Sequence, residues 1–282
     1  MGNRYFSQYL LNIGVLSDKN VDMVMSKSID AVPQLPLLAV QHQYLSEDQL
    51  TKLLEADNAS EALKTDGILS ESQLDSLKNM APGRDAYIAQ ALLDVGICNL
   101  RELDKLYKEY EALDEKPIQV AVNALVAKYD DMNPVEEIYG EYAEMFIGAL
   151  QRFMNTDAVI MPEPAVPELT GTHIVSQSMG GEISLAVAVM AEDDIFLEMA
   201  KRYSGEDMTQ VDTMAEDSLA EFINVLNGLY IVNLSGKDYD MDLDLPRSFQ
   251  NVKPMASSMI AMRIVTVFGS FIVFLAEDDF LY

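Results

Sequence analysis

The sequence predicts an α+β protein, in which an all-α helical-repeat domain at residues 1–115 precedes a domain with an antiparallel sheet and long helices at residues 135–282. Three observations predict this class. Short turn phrases recur through about the first hundred residues, alternating strand patterns are confined to later residues, and long amphipathic helix patterns lie among those strands. Residues 116–134 are predicted to connect the two domains.

The composition is that of an acidic globular protein. A net charge of −27, from 19 basic and 46 acidic residues, repels phosphate backbones and anionic lipid, so we expect neither nucleic acid nor membrane insertion. The sequence contains one cysteine, Cys98, which excludes an intramolecular disulfide. The N-terminal residues lack the pattern of a signal peptide, and no apolar segment is long enough to span a bilayer. We therefore expect a cytoplasmic protein.

The N-terminal repeats share one sequence pattern. Each phrase has a helix-ending residue, two apolar residues and then a Ser or Asn that can cap the next helix, as in GVLSDKNV, QYLSEDQL, GILSESQL and GICNLREL, which begin at Gly14, Gln43, Gly67 and Gly96. The first and third phrases are 53 residues apart, and so are the second and fourth. Ser46 and Ser70 have Gln three residues later, which is typical of a capping box. These phrases predict repeated helix–turn–helix units.

The remaining elements follow in order. Residues 117–134 fit a short helix and a strand equally well, and a helix is predicted at 135–155 with a strand at 158–161. The Pro-rich residues 162–169 predict a loop or sheet edge. Further strands are predicted at 172–179, 181–190 and 240–246, with a Gly-Gly hairpin joining the first two. Helices are predicted at 192–203 and 214–234, and residues 264–276 predict two buried strands or one bent strand.

Most candidate chemical groups have a structural interpretation. Aspartates alternate at positions 238, 240, 242 and 244, but an EF-hand would need Gly where Leu243 stands, so this row predicts a solvated or edge-protecting face rather than a metal site. The two histidines, His42 and His173, lie in different halves and are predicted to be structural. Cys98 takes a position that Leu fills in the other repeats, which predicts a small apolar core residue.

The segment DSLAEFINVLNGLY, residues 217–230, predicts a helix with two different sides. At about 100° per residue, one side carries an apolar set: Leu219, Phe222, Ile223, Leu226, Leu229 and Tyr230. The other side carries a row of Asp217, Glu221, Asn224 and Gly228. Periodicity alone is also satisfied by an ordinary solvated stripe.

This row resembles the signature of the CheX branch of the CheC/CheX/FliY chemotaxis phosphatases. Glu221, Asn224 and Gly228 follow Asp217 by one turn or more, and Pro246 closes the strand YDMDLDLP. The resemblance extends from about residue 135 to residue 282, with helices and strands in the family's order. It implies a fold that displays the polar row to solvent, and an enzyme that hydrolyses the aspartyl phosphate of a CheY-like receiver domain.

The resemblance also implies roles for the four residues. The acyl phosphate, its Mg²⁺ and a neutralising Lys lie on the receiver, so this chain is expected to bind no cofactor or metal itself. Asn224 would orient the attacking water, and Glu221 would pair with the receiver's Lys. Asp217 would be a docking contact at the rim or a helix cap, and Gly228 would let the partner's backbone approach closely.

The N-terminal repeats resemble the helical N-terminal modules of bacterial secretion ATPases, some of which bind cyclic di-GMP. Those binders have an Arg-Leu-Gly run, whereas RYFSQYLLNIG keeps Arg4 without the run. We therefore expect protein docking or scaffolding from this domain. Two rival functions remain for the whole chain: a receiver-binding or scaffold protein without catalysis, and a homodimer adaptor that pairs exposed sheet edges.

Overall fold

The computed structural model describes residues 5–129, 136–165 and 172–282. Their contacts separate into two compact units, Tyr5–Glu115 and Lys116–Tyr282. The first unit is helical throughout, and the strands of the described residues all lie in the second. The predicted α+β class, with an all-α N-terminal half, is confirmed. None of the described helices is long and apolar enough to cross a membrane.

The N-terminal unit consists of eight helices: α1 (Phe6–Asn12), α2 (Val21–Ser28), α3 (Leu35–Gln41), α4 (Glu47–Glu55), α5 (Ala59–Thr65), α6 (Glu71–Asn79), α7 (Arg84–Asp94) and α8 (Leu100–Glu111). The helix-ending position of all four phrases has a left-handed backbone, with φ of 81° at Gly14, 53° at Gln43, 64° at Gly67 and 73° at Gly96. Glycine adopts this conformation without steric cost, which explains why three of the four phrases begin with it.

Three of the four predicted caps form as expected. Ser46, Ser70 and Asn99 each accept a hydrogen bond from the backbone three residues later, and each makes a complete capping box. The first phrase differs. Its Ser17 does not cap α2, because a turn intervenes and the helix begins at Val21.

Two apolar groups hold this unit together. The core around the middle helices is formed by buried aliphatic residues, among them Leu53, Leu63, Leu74 and Leu77. A second group joins the first helix to the last, since the Phe6 ring stacks on Tyr107 with centroids 4.6 Å apart. Burial, reinforced by the hydrogen bond to Glu109, raises the pKa of Tyr9 to about 12. Cys98 is half-buried, and burial raises the pKa of its thiol, so it is only partly the core residue predicted.

The C-terminal unit is one antiparallel sheet with helices. The described strands are β1 (Ala158–Pro164), β2 (Thr172–Gly181), β3 (Leu185–Glu192), β4 (Met241–Leu243), β5 (Arg247–Gln250), β6 (Met259–Thr266) and β7 (Gly269–Ala276). Their order is β1-β6-β7-β3-β2-β4, and β5 also pairs with β2. The helices are α9 (Pro117–Val126), α10 (Glu136–Phe153), α11 (Asp193–Ser204) and α12 (Thr213–Ser235). Helix α12 packs against β2, β4, α10 and α11.

Successive side chains of β2 point to opposite faces of the sheet, and both faces are buried. Ile174 packs in an apolar cluster with Ala188, Phe274 and Phe280. Gln177, an odd number of residues away and therefore on the opposite face, contacts α12 instead. Both faces of this strand are covered, because its residues from Thr172 to Met179 are all buried.

The predicted connector is part of the second unit. Residues 117–126 form α9, which packs against α10 and β1, so the strand alternative for this segment is wrong. Pro117 occupies the first helical position, where its missing N–H costs nothing. Residues 130–135 lie outside the described residues. Strand β1 continues three residues beyond its predicted end and includes prolines, which an edge strand tolerates. Residues 166–171 lie outside the described part of the chain.

The remaining strands differ in detail from prediction. Strand β2 continues through Gly180 and Gly181, so the hairpin turn falls after the two glycines, because β4 pairs with them on the other side. A Cβ on Gly181 would lie 2.0 Å from the Asp240 carbonyl oxygen, so this close pairing needs glycine. The aspartate row is a strand only at Met241–Leu243, and all four of its side chains are exposed. Residues 264–276 form parts of two strands, β6 and β7, whereas β5 was not predicted.

Candidate functional site

Helix α12 presents the predicted polar row on the surface of the C-terminal unit. Asp212 caps the helix, with its carboxylate accepting from the backbone of Met214 and Ala215. The apolar side is buried, including Leu219, Phe222, Ile223, Leu226 and Tyr230. Leu229 was predicted to join them but is 48% exposed. It lies at the border of the buried side in the last turns of the helix, where Val232 is exposed as well.

Along the row, exposure and chemistry change from residue to residue. Asp217 and Glu221 are exposed, while Asn224 and Gly228 are half-buried. Because Asp212 is the cap, the alternative capping role for Asp217 is wrong. Among the described residues, no heavy atom other than those of Gly228, its two chain neighbours and the backbone of the same helix lies within 4 Å of where a Cβ on Gly228 would stand. The helix surface is therefore bare one turn after Asn224.

Glu221 lies close to the end of α11. Burial raises the pKa of the Tyr203 hydroxyl, and the nearby Glu221 carboxylate raises it further. The ion pairs of the described residues include none to Glu221. Its carboxylate is thus exposed and available to a cation from outside the chain.

Asn224 is held from beneath by a side chain of the sheet. The Gln177 amide nitrogen donates to Asn224 Oδ1 at 2.9 Å and to the main-chain carbonyl oxygen of Asp244 at 2.7 Å. Asp244 follows β4, and its own N–H donates to the Ser178 carbonyl at 3.0 Å. Pro246 lies between β4 and β5 and restricts Leu245 before it to extended backbone. This connection brings a main-chain carbonyl to the amide of Gln177.

The hydrogen bonds continue from Gln177 into the interior. Asn227, which is fully buried, donates from Nδ2 to Gln177 Oε1 at 2.9 Å. The Tyr142 hydroxyl of α10 donates to Asn227 Oδ1 at 2.6 Å. Buried polar groups are costly unless they are paired, and this network pairs each of them. We refer to Tyr142, Asn227, Gln177, Asn224 and the Asp244 carbonyl as the amide network.

The sequence predicted Asn224 as a site residue but did not indicate the residues that hold its side chain. One signal was present in β2, where a glutamine stands among residues that pack on both faces. Another was present in α12, where Asn227 lies 60° around the helix from Asn224, between the polar row and the apolar side. The contribution of Asp244 is from its main chain, and no side-chain pattern could have indicated it.

The other polar candidates lie apart from this row. His173 is buried, with Nε2 2.9 Å from the Asp193 carboxylate, and it borders a cavity of about 590 Å³ beside the start of α11. His42 belongs to the N-terminal unit. The described residues include no group of three or more His, Cys, Asp or Glu arranged to hold a metal ion.

The part of the chain that matches a known protein family contains most of this site. Residues 174–265 match the family model described as chemotaxis phosphatase CheX. The matched residues run from β2 to β6 and include the polar row and every member of the amide network except Tyr142. Among curated proteins, none matches the chain.

Several solved structures are similar to the C-terminal half. A chemotaxis protein CheX from Desulfovibrio desulfuricans is 16% identical, with a TM-score of 0.43 over 50% of this chain and 99% of that chain. CheX from Vibrio vulnificus is 15% identical, with a TM-score of 0.43 over 50% of this chain and 98% of that one. The CheX–CheY–BeF3–Mg²⁺ complex from Borrelia burgdorferi is 16% identical, with a TM-score of 0.41 over 48% of this chain and 94% of that chain. Residues 174–265 of the C-terminal unit, about a third of the chain, are thus similar to the family described as chemotaxis phosphatase CheX.

Proposed function

We propose that the C-terminal unit hydrolyses the aspartyl phosphate of a CheY-like receiver domain. The observation that carries this proposal is the position of Asn224, an amide held at the surface by the amide network, one turn from an exposed Glu221 that has no ion-pair partner among the described residues. Both residues lie within the range that matches the CheX family model.

In this reaction most of the catalytic groups belong to the receiver domain. A receiver domain carries its own acyl phosphate, Mg²⁺ and lysine, so a phosphatase has to place a water in line with the phosphorus and hold the two proteins in register. A neutral amide suits the first task, because it does not repel the charged phosphoryl group. The second lone pair of Asn224 Oδ1 accepts a hydrogen from the water, and Nδ2 donates to an oxygen of the phosphoryl group.

Glu221 serves the second task. It lies on the same side of α12 as Asn224 and is exposed. A charge-assisted hydrogen bond between its carboxylate and the receiver's lysine would fix the register of docking. Together, the oriented water and the fixed register would lower the barrier by a few kcal/mol, on the order of 10²-fold in rate or more.

A non-catalytic receiver-binding or scaffold protein is the second candidate. The bare surface at Gly228 and the exposed Leu229 beside it would serve docking with or without hydrolysis. A homodimer is a further prediction, for which sedimentation is the test.

The decay of a phosphorylated CheY-like receiver in Mg²⁺ tests the proposal. We expect wild-type protein to accelerate decay, Asn224→Ala to lose about 10²-fold in rate, and Glu221→Ala to require more protein for half-maximal rate. Asn233→Ala is the matched control, since Asn233 is an exposed asparagine on the same helix outside the polar row. All variants are checked for folding by circular dichroism.

The alternatives give different results. If wild-type protein binds a receiver with BeF3⁻ and Mg²⁺ but leaves the decay rate of the phosphorylated form unchanged, the scaffold function replaces the enzyme. If several receivers from the source genome are neither bound nor dephosphorylated, both functions are wrong.

A further inference from the structure

We infer that Gln177 is a positioning residue, which holds the side-chain amide of Asn224 in a single orientation for the reaction. This inference rests on the proposed function and extends it to a residue outside the helical signature. It depends on which group donates and which group accepts in each hydrogen bond of the amide network.

The position of Gln177 is rigid. The residue is 1% exposed, and its main chain pairs with Val187 of β3. On its other side the neighbouring strand changes, because β5 pairs with β2 up to Ser176 and β4 pairs from Met179. The Gln177 side chain therefore lies beside the connection between β4 and β5, where the Asp244 carbonyl is within reach.

One main-chain group sets the direction of every hydrogen bond. A carbonyl oxygen can only accept, so the Gln177 group that lies 2.7 Å from the Asp244 oxygen has to be the amide nitrogen. The second hydrogen of that nitrogen then faces Asn224, which has to present Oδ1. On the other side, Gln177 Oε1 faces Asn227, which has to present Nδ2. The two ends of each amide are thereby distinguished.

This direction matters because the two ends of an asparagine amide have nearly the same shape. Without a partner, a half-buried asparagine can turn its amide over and can change rotamer. The bond from Gln177 occupies one lone pair of Asn224 Oδ1 and directs Nδ2 away from the sheet. Among the described residues, Nδ2 has no hydrogen-bond partner in the chain, so it remains available to the substrate.

Two substitutions at Gln177 test the inference. Gln177→Glu keeps the shape but supplies a group that, when ionised, only accepts, so Asn224 should turn over. Gln177→Met removes the polar atoms and leaves Asn224 without an anchor. We expect the maximal dephosphorylation rate to fall by about 10-fold or more in both variants, with the half-saturating receiver concentration within about 3-fold of wild type, because only orientation is lost.

Tyr230→Phe is the matched control for lost stability. Tyr230 is buried on the same helix, and its hydroxyl donates a hydrogen bond to the Ile138 carbonyl at 3.1 Å. Its ring packs edge-to-face on Tyr142, and phenylalanine keeps this ring contact, so the substitution removes only the hydroxyl. If the maximal rate of the Gln177 variants falls no further than that of Tyr230→Phe, when all are folded at the assay temperature, Gln177 is structural and the inference is wrong.

A measurement without the receiver separates this inference from the proposed function. In wild-type protein, NMR order parameters should be higher for the Asn224 side-chain N–H bonds than for those of exposed Asn233, and Gln177→Met should bring the two to similar values. Equal mobility in wild-type protein would overturn the inference. A receiver that decays at its intrinsic rate beside wild-type protein would instead overturn the proposed function, and the order parameters would still decide whether Gln177 orients Asn224.

Discussion

Gly228 distinguishes the polar row of α12 from an ordinary solvated helix stripe. Glycine lowers the stability of a helix interior, and nothing around this one requires its small size, because the space beside it is open. Its backbone is helical, so the position needs no special conformation. Within the described residues the glycine has no internal explanation, which is what we expect where another protein approaches the helix.

Two substitutions at this residue separate stability from docking. Gly228→Ala should raise the free energy of unfolding by about 0.5–1 kcal/mol, because alanine is the better helix former, and should weaken docking of the receiver, because the methyl group occupies space that the partner's backbone approaches. Gly228→Trp should preserve the fold and abolish docking. Urea denaturation and the receiver decay assay measure these effects.

Asn233→Trp provides the control for the bulky change, since Asn233 is exposed on the same helix away from the row. If Gly228→Trp dephosphorylates the receiver as fast as Asn233→Trp does, the bare surface is not the docking site.

Capping boxes are the recurring device of the N-terminal helices. They do more than start a helix, since the Gln49 side chain that completes the Ser46 box also donates to the Ile68 carbonyl in the next phrase at 2.6 Å. The Gln49 side chain thus both completes a local capping box and links the turn before α4 to the turn before α6.

Replacement of one cap should have a definite cost. Ser70→Ala removes the acceptor for the Gln73 backbone N–H and should lower the free energy of unfolding of this unit by about 1 kcal/mol. Ser72→Ala, the same change two residues later in an exposed position of α6, should be neutral or slightly stabilising because alanine favours helix. Urea unfolding followed by circular dichroism compares them, and equal effects would contradict the capping role.

At the same scale, sequence patterns predicted elements better than the contacts between them. Periodicity located α12 to within one residue at each end, because its apolar side is continuous. It did not decide between helix and strand at residues 117–126, because alternation at Ile118, Val120 and Val122 also suits a helix that packs against α10 and β1. The site was predicted only in its exposed half. Asn224 belongs to a helical signature, whereas Gln177 reaches it through a strand 47 residues earlier, a pairing that tertiary structure alone creates.

For the whole molecule, the two units each contain a core of their own. The aliphatic cluster around Leu53 and Leu63 lies entirely in the first, and the cluster around Ile174 and Phe274 lies entirely in the second. A unit with its own core can fold without the rest of the chain.

Separate expression tests this independence. Residues 5–115 alone should give the circular dichroism spectrum of an all-α protein, and residues 116–282 alone should give a mixed spectrum and dephosphorylate the receiver at the rate of the full chain. A β-rich spectrum from residues 5–115 would contradict the division. A much slower rate from residues 116–282, with its fold intact, would assign part of the activity to the helical unit.

The Asp244 carbonyl has an evolutionary consequence. Every amino acid carries a main-chain carbonyl, so no mutation at position 244 can delete the acceptor that sets the direction of the amide network. Descendants of this sequence are therefore free to replace the exposed Asp244 side chain, provided that the backbone path into Pro246 is kept. Gln177 has no such freedom, since its function depends on a side chain with a donor at one end and an acceptor at the other. Sequence drift should accumulate at the first position and be resisted at the second.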